Sequence, residues 1–309
     1  MAQTICIAGA GDLGQYLLEE LSSDERYNVA VLTRQKDKAI PNLKATFHPT
    51  DYSEESVLSI LDATGATALI STIRCPDEKY ISLHQGFLNA CLRSTTCKRF
   101  IPSEWAGNVE LYPGIPRAYG NTRAPFRKIL EQTPEIQWTS FNHGWFMDYF
   151  VKQNQTYMTH HAGEFPINHN SWEYCVRGTG DEPQSWTCGR DVGRAVAELL
   201  AAPEWEQVTY IAGEWGTYNE AVKLMESFHG RQYSRTYRPE SEIRESLEKY
   251  KNDSESWELA IAEGEEWQIS GATCCPEEKT LRQRHKYFSS LHFLSIQELL
   301  KKAEATGHV

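Results

Sequence analysis

The chain has 309 residues, 40% hydrophobic and 24% charged, enough for one large or two modest cores and ordinary for a soluble globular protein. A formal net charge of −11 repels phosphate backbones and argues against a nucleic-acid partner. No apolar run approaches the ~20 residues that span a bilayer. With no basic-then-apolar leader and eight irregularly spaced cysteines, the expectation is a cytoplasmic protein with reduced thiols and no membrane partner.

Thr4-Ile5-Cys6-Ile7-Ala8 is an apolar, β-branched run that suits a buried parallel strand. Gly9-Ala10-Gly11-Asp12-Leu13-Gly14 follows, and Leu13, Leu17, Leu18 and Leu21 then recur at helical spacing. A glycine-rich turn between strand and helix is the dinucleotide-binding arrangement. The first glycine makes the turn, the second lets a pyrophosphate reach the backbone, and the third lets helix and strand pack closely. The helix N-terminus offers free N–H groups to the phosphates.

Asn28 to Thr33 reads as a second strand, and the residue at its end selects the dinucleotide. Where an acid would bond the ribose 2′-hydroxyl of NAD, this chain has Thr33-Arg34-Gln35-Lys36, with Lys38 close behind and the first acid at Asp37. A guanidinium pairs with a 2′-phosphate and stacks on adenine, so the expected cofactor is NADPH/NADP. A third strand, Ala45 to His48, leads to Asp51, which either contacts the adenine or is a turn acid. Ser53 caps a helix with Val57, Leu58 and Leu61 on its buried face.

Ala68 to Ile73 is a fourth strand, with Pro76 opening the next helix and Asp77 and Glu78 in its first turn. Lys98 to Pro102 is a fifth. A helix is expected from Ala118 to Gln132, kinked or restarted at Pro125, and a sixth strand over Trp138 to Phe141. The alternation predicts an α/β fold with a doubly wound parallel sheet of Rossmann type. Residues 151–186 show little periodicity; 191–200 return to a helix and Val208 to Ala212 to a strand back on the main sheet. Ile243, Leu247 and Tyr250 mark an amphipathic helix in the charged stretch after residue 240.

Ligands of open α/β sheets bind at the carboxyl edge, which here carries Ser103, Glu104, Asn142 and His143. Tyr119 and Arg123, four apart in the expected helix, share a face. Aromatic side chains crowd the same region, at Trp105, Tyr112, Trp145, Phe146, Tyr149, Tyr157, Trp172 and Tyr174. Some belong to the core, but such density also lines pockets for flat aromatic ligands. His160-His161, His169 and Cys274-Cys275 lack metal-ligand spacing, so no metal is expected.

The glycine motif, Thr33-Arg34, Lys98-Arg99-Phe100-Ile101-Pro102-Ser103-Glu104-Trp105 and Trp145-Phe146-Met147-Asp148-Tyr149-Phe150 occur in that order. Together they resemble the NmrA-like, isoflavone-reductase-like branch of the atypical short-chain dehydrogenases, especially its fungal members, over roughly residues 4–300. The resemblance implies NADPH binding and a smaller, discontinuous C-terminal substrate lobe. Residues 1–150 would then bind the dinucleotide, with 187–213 returning to them, while 151–186 and 214–309 form the lobe. It also implies reductases of aromatic natural products; the expected partner is a small aromatic substrate, and the expected state is monomer or homodimer.

Short-chain dehydrogenases work with a Ser, a Tyr and a cation four residues on. The matching catalytic candidates here are Ser103, Tyr119 and Arg123, with the cation lowering the Tyr pKa. Arg123 stands where plant reductases of the family carry lysine, and arginine cannot relay a proton. His143, whose free pKa is near neutral, is the substitute acid or else packs under the cofactor. The expected cofactor contacts are Gly9, Gly11, Asp12, Leu13, Gly14, Thr33, Arg34, Asp51, Ser71, Thr72 and Asn142. The expected substrate contacts are Glu104, Trp105, Trp145, Phe146 and Tyr149. The expected activity is NADPH-dependent reduction of a C=O, C=N or activated C=C in an aromatic or polycyclic intermediate of secondary metabolism. A dinucleotide sensor without turnover, or a cofactor-binding enzyme that cyclises an iminium or quinone-methide intermediate, are the alternatives.

Overall fold

Residues that alternate between two apolar faces build the centre of the molecule. In a computed structural model that describes residues 2–34, 43–75, 77–253 and 256–309, β1 (Gln3–Ala8) sends Ile5 and Ile7 to one face and Cys6 and Ala8 to the other, all fully buried. Burial on both faces is the mark of a parallel strand covered by helices. Helix α1 (Asp12–Ser23) follows, then β2 (Tyr27–Thr33), β3 (Ala45–Pro49), α2 (Glu54–Thr64) and β4 (Ala66–Ser71). The hydroxyl of Ser53 caps α2 by accepting from Ser56 N–H, and Gly65 ends it in the left-handed region.

Helix α3 (Lys79–Arg93) leads to β5 (Arg99–Ile101), then α4 (Ala118–Asn121), α5 (Arg123–Glu131) and β6 (Gln137–Trp138). The six strands form one sheet in the order β3-β2-β1-β4-β5-β6, and every neighbouring pair is parallel. One face packs Ile5, Ile7, Val29, Val31 and Ile70 against α1; the other packs Cys6, Ala30, Leu32, Leu69 and Phe100 against α2, α3 and α5. Each large apolar side chain so buried contributes about 1.5–3 kcal/mol.

Three boundaries differ from the sequence expectation. α3 begins at Lys79, where Asp77 Oδ1 accepts the Lys79 N–H at 2.9 Å, so the acids precede the helix; Pro76 lies outside the described residues. The helix expected from Ala118 to Gln132 breaks at Thr122 (φ −123°, ψ −74°) and restarts, which puts Pro125 third in α5, where a missing N–H leaves nothing unpaired. The sixth strand divides at Thr139. Its first part pairs with β5, whereas β7 (Ser140–Asn142) pairs in parallel with the strand near residue 209, which therefore lies beside β7 and not on the main sheet.

Beyond β7 the chain adds β8 (Trp145–Phe146), a 3₁₀ turn at Met147–Phe150, β9 (Ile167–Asn168), β10 (Glu173–Arg177) and β11 (Gln184–Thr187). Helix α6 (Gly189–Ala201) then runs back, placing Val192, Ala195, Val196 and Leu199 in one core with Tyr16, Leu17 and Leu21 of α1. After β12 (Val208–Tyr210) come β13 (Glu214–Gly216), α7 (Tyr218–His229), β14 (Ser234–Arg238) and helices α8 (Glu240–Tyr250), α9 (Trp257–Ile269), α10 (Glu277–Tyr287) and α11 (Ile296–Thr306). Trp145, Met147, Phe150, Trp186, Tyr218 and Leu299 centre a second core. A polar link joins the two regions: buried Asp148 accepts from the Tyr16 hydroxyl at 2.6 Å, the Thr156 hydroxyl at 3.1 Å and Gly189 N–H at 2.6 Å. No described helix is long and apolar enough to cross a membrane.

Candidate functional site

The glycine turn comes first because its backbone fixes what can approach it. Gly9 sits at φ +101°, a conformation that side chains resist. A Cβ on Gly14 would lie 2.6 Å from Gly9 O, so only glycine lets α1 pack this closely on the turn. A Cβ on Gly11 would meet nothing within 4 Å. Gly11 is also the N-cap of α1 and no side chain caps it, so the first N–H groups of the helix are left for an anion. The Thr72 hydroxyl braces the turn by donating to Gly9 O at 3.1 Å.

The other expected cofactor contacts fall into distinct environments. Leu13 is core. Asp12 accepts from the amide and hydroxyl of Thr159 at 2.8 and 3.1 Å, which ties the turn to the segment beyond β8. Thr33 is buried, and Arg34 is exposed with its guanidinium 5.9 Å from the Tyr52 ring centre. Gln35, Lys36, Asp37 and Lys38 lie outside the described residues. Asp51, exposed just past the end of β3, accepts from the amide and hydroxyl of Ser53 and holds the start of α2. Asn142 is buried, donating to Ser140 while its own Oδ1 has no hydrogen-bond partner among the described residues.

A cavity of about 300 Å³ opens past the carboxyl edge of the sheet. Trp105, Tyr119, Arg123, His143, Trp145, Phe146 and Tyr149 line one side, as the sequence led us to expect of an aromatic pocket. Trp105 adopts φ +50°, a strained conformation for a large side chain, and its indole N–H donates to Ser71 O at 2.9 Å. The other side was not expected: α9 contributes Trp257, Ala260, Ile261, Glu263, Gly264 and Trp267, and Arg74 and Glu164 are also among the lining residues. The α9 members that face the cavity recur at i, i+3, i+4, i+7 and i+10, but Leu259, Ala262 and Ile269 pack on another face, so the sequence does not single out the cavity face. Tyr112, Tyr157, Trp172 and Tyr174 are not among the lining residues.

Two candidates leave the site. Glu104, expected to touch substrate, is 3% exposed and ion-paired with Arg127, because a carboxylate in that interior needs a counter-charge. Ser103 is buried with its amide donating to His84 Nε2 at 3.3 Å, and it does not line the cavity. His84 bonds Tyr80 O at 2.9 Å and the Ser71 hydroxyl at 3.1 Å, so it locks the ends of β4 and β5 together. Burial lowers its pKa to about 3, and the ring stays neutral.

Arg123 is 6% exposed and sandwiched, with its guanidinium carbon 4.0 Å from the Tyr80 ring centre and 4.6 Å from that of Tyr119. It donates to Cys75 O at 2.8 Å and has no acidic partner among the described residues. The expected lowering of the Tyr119 pKa does not follow. Burial raises it and outweighs Arg123, and the hydroxyl already donates to Glu104 O at 2.9 Å. His143 is 1% exposed, with neither ring nitrogen hydrogen-bonded among the described residues, and burial lowers its pKa to about 3. A near-neutral acid is therefore absent at this position. Among the described residues no group of three or more His, Cys, Asp or Glu could hold a metal ion.

These environments make a kinetic prediction. Tyr119→Phe keeps turnover within about threefold, below the ~100-fold that general acid catalysis supplies, and loses about 1–3 kcal/mol of stability from the orphaned carbonyl. The pH profile of kcat/KM shows no limb near 6.5 from His143, which in the folded protein protonates only near its lowered value of about 3. A tenfold loss in Tyr119→Phe, or a limb near 6.5 that vanishes in His143→Asn, would restore one of them as the acid.

Comparison with known proteins supplies relatives of the whole chain. The NmrA-like family profile matches residues 1–287. The oxidoreductase swnR of Arthroderma benhamiae is 32% identical over 307 residues, 96% of each chain. The phenylcoumaran benzylic ether reductase Pyrc5 of Pyrus communis is 25% identical over 264 residues, covering 80% of this chain and 81% of its own. A leucoanthocyanidin reductase from Vitis vinifera, solved as a binary complex with NADPH, superposes with a TM-score of 0.74 at 16% identity, over 98% of this chain and all of the other.

Proposed function

This chain belongs to the NmrA-like family, and on that footing we propose that it is an NADPH-dependent oxidoreductase that reduces an aromatic or polycyclic natural-product intermediate. The observation that carries the reading is the open space over Gly11 at the uncapped start of α1, on the same sheet edge as an aromatic cavity. Relatives named as oxidoreductases and as an aromatic ether reductase support it.

NADPH, when bound, supplies a hydride to an electron-poor double bond. The chain's own part is to bind and orient. Gly9 and Gly14 shape the turn, Gly11 leaves room for the pyrophosphate to reach the free N–H groups at the start of α1, and Arg34 pairs with the 2′-phosphate. Trp105, Trp145, Phe146 and Tyr149 hold a flat substrate and exclude water, while Arg123 is a fixed positive charge at the same edge. Residues 1–150 with 187–213 act as the cofactor unit, a division supported by the packing of α6 on α1.

Fluorescence titration tests the cofactor assignment. Arg34→Ala weakens NADPH by about 10- to 100-fold, the value of a lost charged hydrogen-bond pair of about 1.5–3 kcal/mol, and NADH by less than about twofold. Equal losses for the two would refute the 2′-phosphate role. NADPH binding without oxidation by any aromatic ketone, imine or enone would replace the enzyme with a sensor.

A further inference from the structure

The cavity carries two acidic side chains that the reductase reading leaves unused. Glu164 borders it with carboxylate Oε2 buried and without a hydrogen-bond partner among the described residues. Glu263 borders it from α9 and accepts a long bond from Ala118 N–H at 3.4 Å. Among the described residues neither forms an ion pair, and burial raises the pKa of both, as it does for carboxylates short of a counter-charge.

What surrounds them suits a cation. Trp145 and Trp267 pack with ring centres 4.8 Å apart, Trp257 borders the same space, and the faces of such rings attract positive charge by about 0.5–2 kcal/mol. His143 adds an unprotonated ring nitrogen with no partner among the described residues. The two arginines of the lining offset the burial of the carboxylates only in part, Arg74 being the main charge that opposes it at Glu164. Arg123 is held between Tyr80 and Tyr119, and Arg74 is exposed to solvent.

With both carboxylates ionised against a bound cation, neither Tyr119, His143 nor the arginines supplies a ready proton. The Tyr119 hydroxyl is committed to Glu104 O, His143 is neutral, and arginine does not release its proton. Reduction of a ketone must end with a proton on oxygen. Reduction of a C=N⁺ bond need not.

We propose, resting on the reductase reading above, that the substrate is a preformed iminium ion whose charge is held by Glu164 and Glu263 among the cavity tryptophans. In that reaction the iminium carbon gains the hydride and a new C–H bond, and the C=N π pair withdraws to nitrogen as a lone pair. The product is a neutral tertiary or secondary amine, NADPH is oxidised to NADP⁺, and no proton enters. The carboxylates hold the ground-state cation and keep water away from its hydrolysis-prone carbon.

Calorimetric titration of the full chain with N-methyl-3,4-dihydroisoquinolinium and with its neutral isostere α-tetralone tests the inference. The cation binds at least about tenfold more tightly, and Glu164→Gln and Glu263→Gln each weaken it by about fivefold or more. α-Tetralone affinity stays within about twofold in both variants, which also reports that they fold. NADPH absorbance falls with the iminium and not with the ketone. A cation that does not outbind the ketone, or glutamine variants that bind it like the parent, would overturn the proposal while leaving the reductase reading intact. Failure to bind NADPH in a separate titration would instead overturn the reductase reading.

Discussion

A Gly11→Ala protein unfolds at nearly the parent's urea concentration yet binds NADPH about 100-fold more weakly, a loss of about 2.7 kcal/mol. The first half follows from the empty surroundings: the added Cβ meets nothing within 4 Å, and the backbone at φ −84°, ψ −154° accepts alanine. The second half follows from the ligand, because a pyrophosphate needs that space to reach the backbone. Gly14→Ala behaves differently. Its Cβ would lie 2.6 Å from Gly9 O and 3.2 Å from Gly9 C, and neither backbone atom can rotate aside. Helix α1 must then lift from the turn, at a cost of about 1–3 kcal/mol of stability together with the cofactor site. Urea unfolding and NADPH titration on both variants separate the cases. If Gly11→Ala binds NADPH like the parent, the pyrophosphate does not sit at this turn.

Replacing Arg127 by methionine costs about 3–5 kcal/mol of unfolding free energy, the largest stability effect we expect of a single residue near the site. The Glu104 side chain is 1% exposed and that of Arg127 10%, so losing the guanidinium strands a charge in the interior. Arg127 also donates to Pro113 O at 2.7 Å. Glu104 passes the disturbance on, since its carbonyl accepts the Tyr119 hydroxyl and the next residue is the strained Trp105. The double variant Glu104→Met with Arg127→Met regains most of the loss, because removing both charges of a buried pair is often neutral. A single Arg127→Met costing less than about 1 kcal/mol in urea would mean that Glu104 is not buried as an ion.

The cofactor side of the molecule is legible from local sequence. Alternation in Ile5 to Ala8 and the spacing of the glycines are short-range patterns, and a doubly wound parallel sheet follows once strand and helix alternate. The cavity depends on contacts that no local pattern carries. Glu104 stands beside Ser103 in the chain and reads as a site residue, yet its partner Arg127 is 23 residues on. Tyr119 and Arg123 do meet, but across a helix break at Thr122 and not along one continuous face. His143 looks like a near-neutral acid until its burial is known, because desolvation sets its pKa. Apolar residues lie on more than one face of α9, so the face that meets the cavity is not legible in the sequence, and Glu164 lies in a stretch with no periodicity.

Under the proposed function, the glycine turn and the cavity beside it serve a bound NADPH. Titrating the protein with NADPH while following nicotinamide fluorescence tests this most directly. The account predicts saturable binding that NADP⁺ reverses, and that NAD⁺ at the same concentration leaves nearly intact. No saturable binding, or equal displacement by NAD⁺, would contradict it.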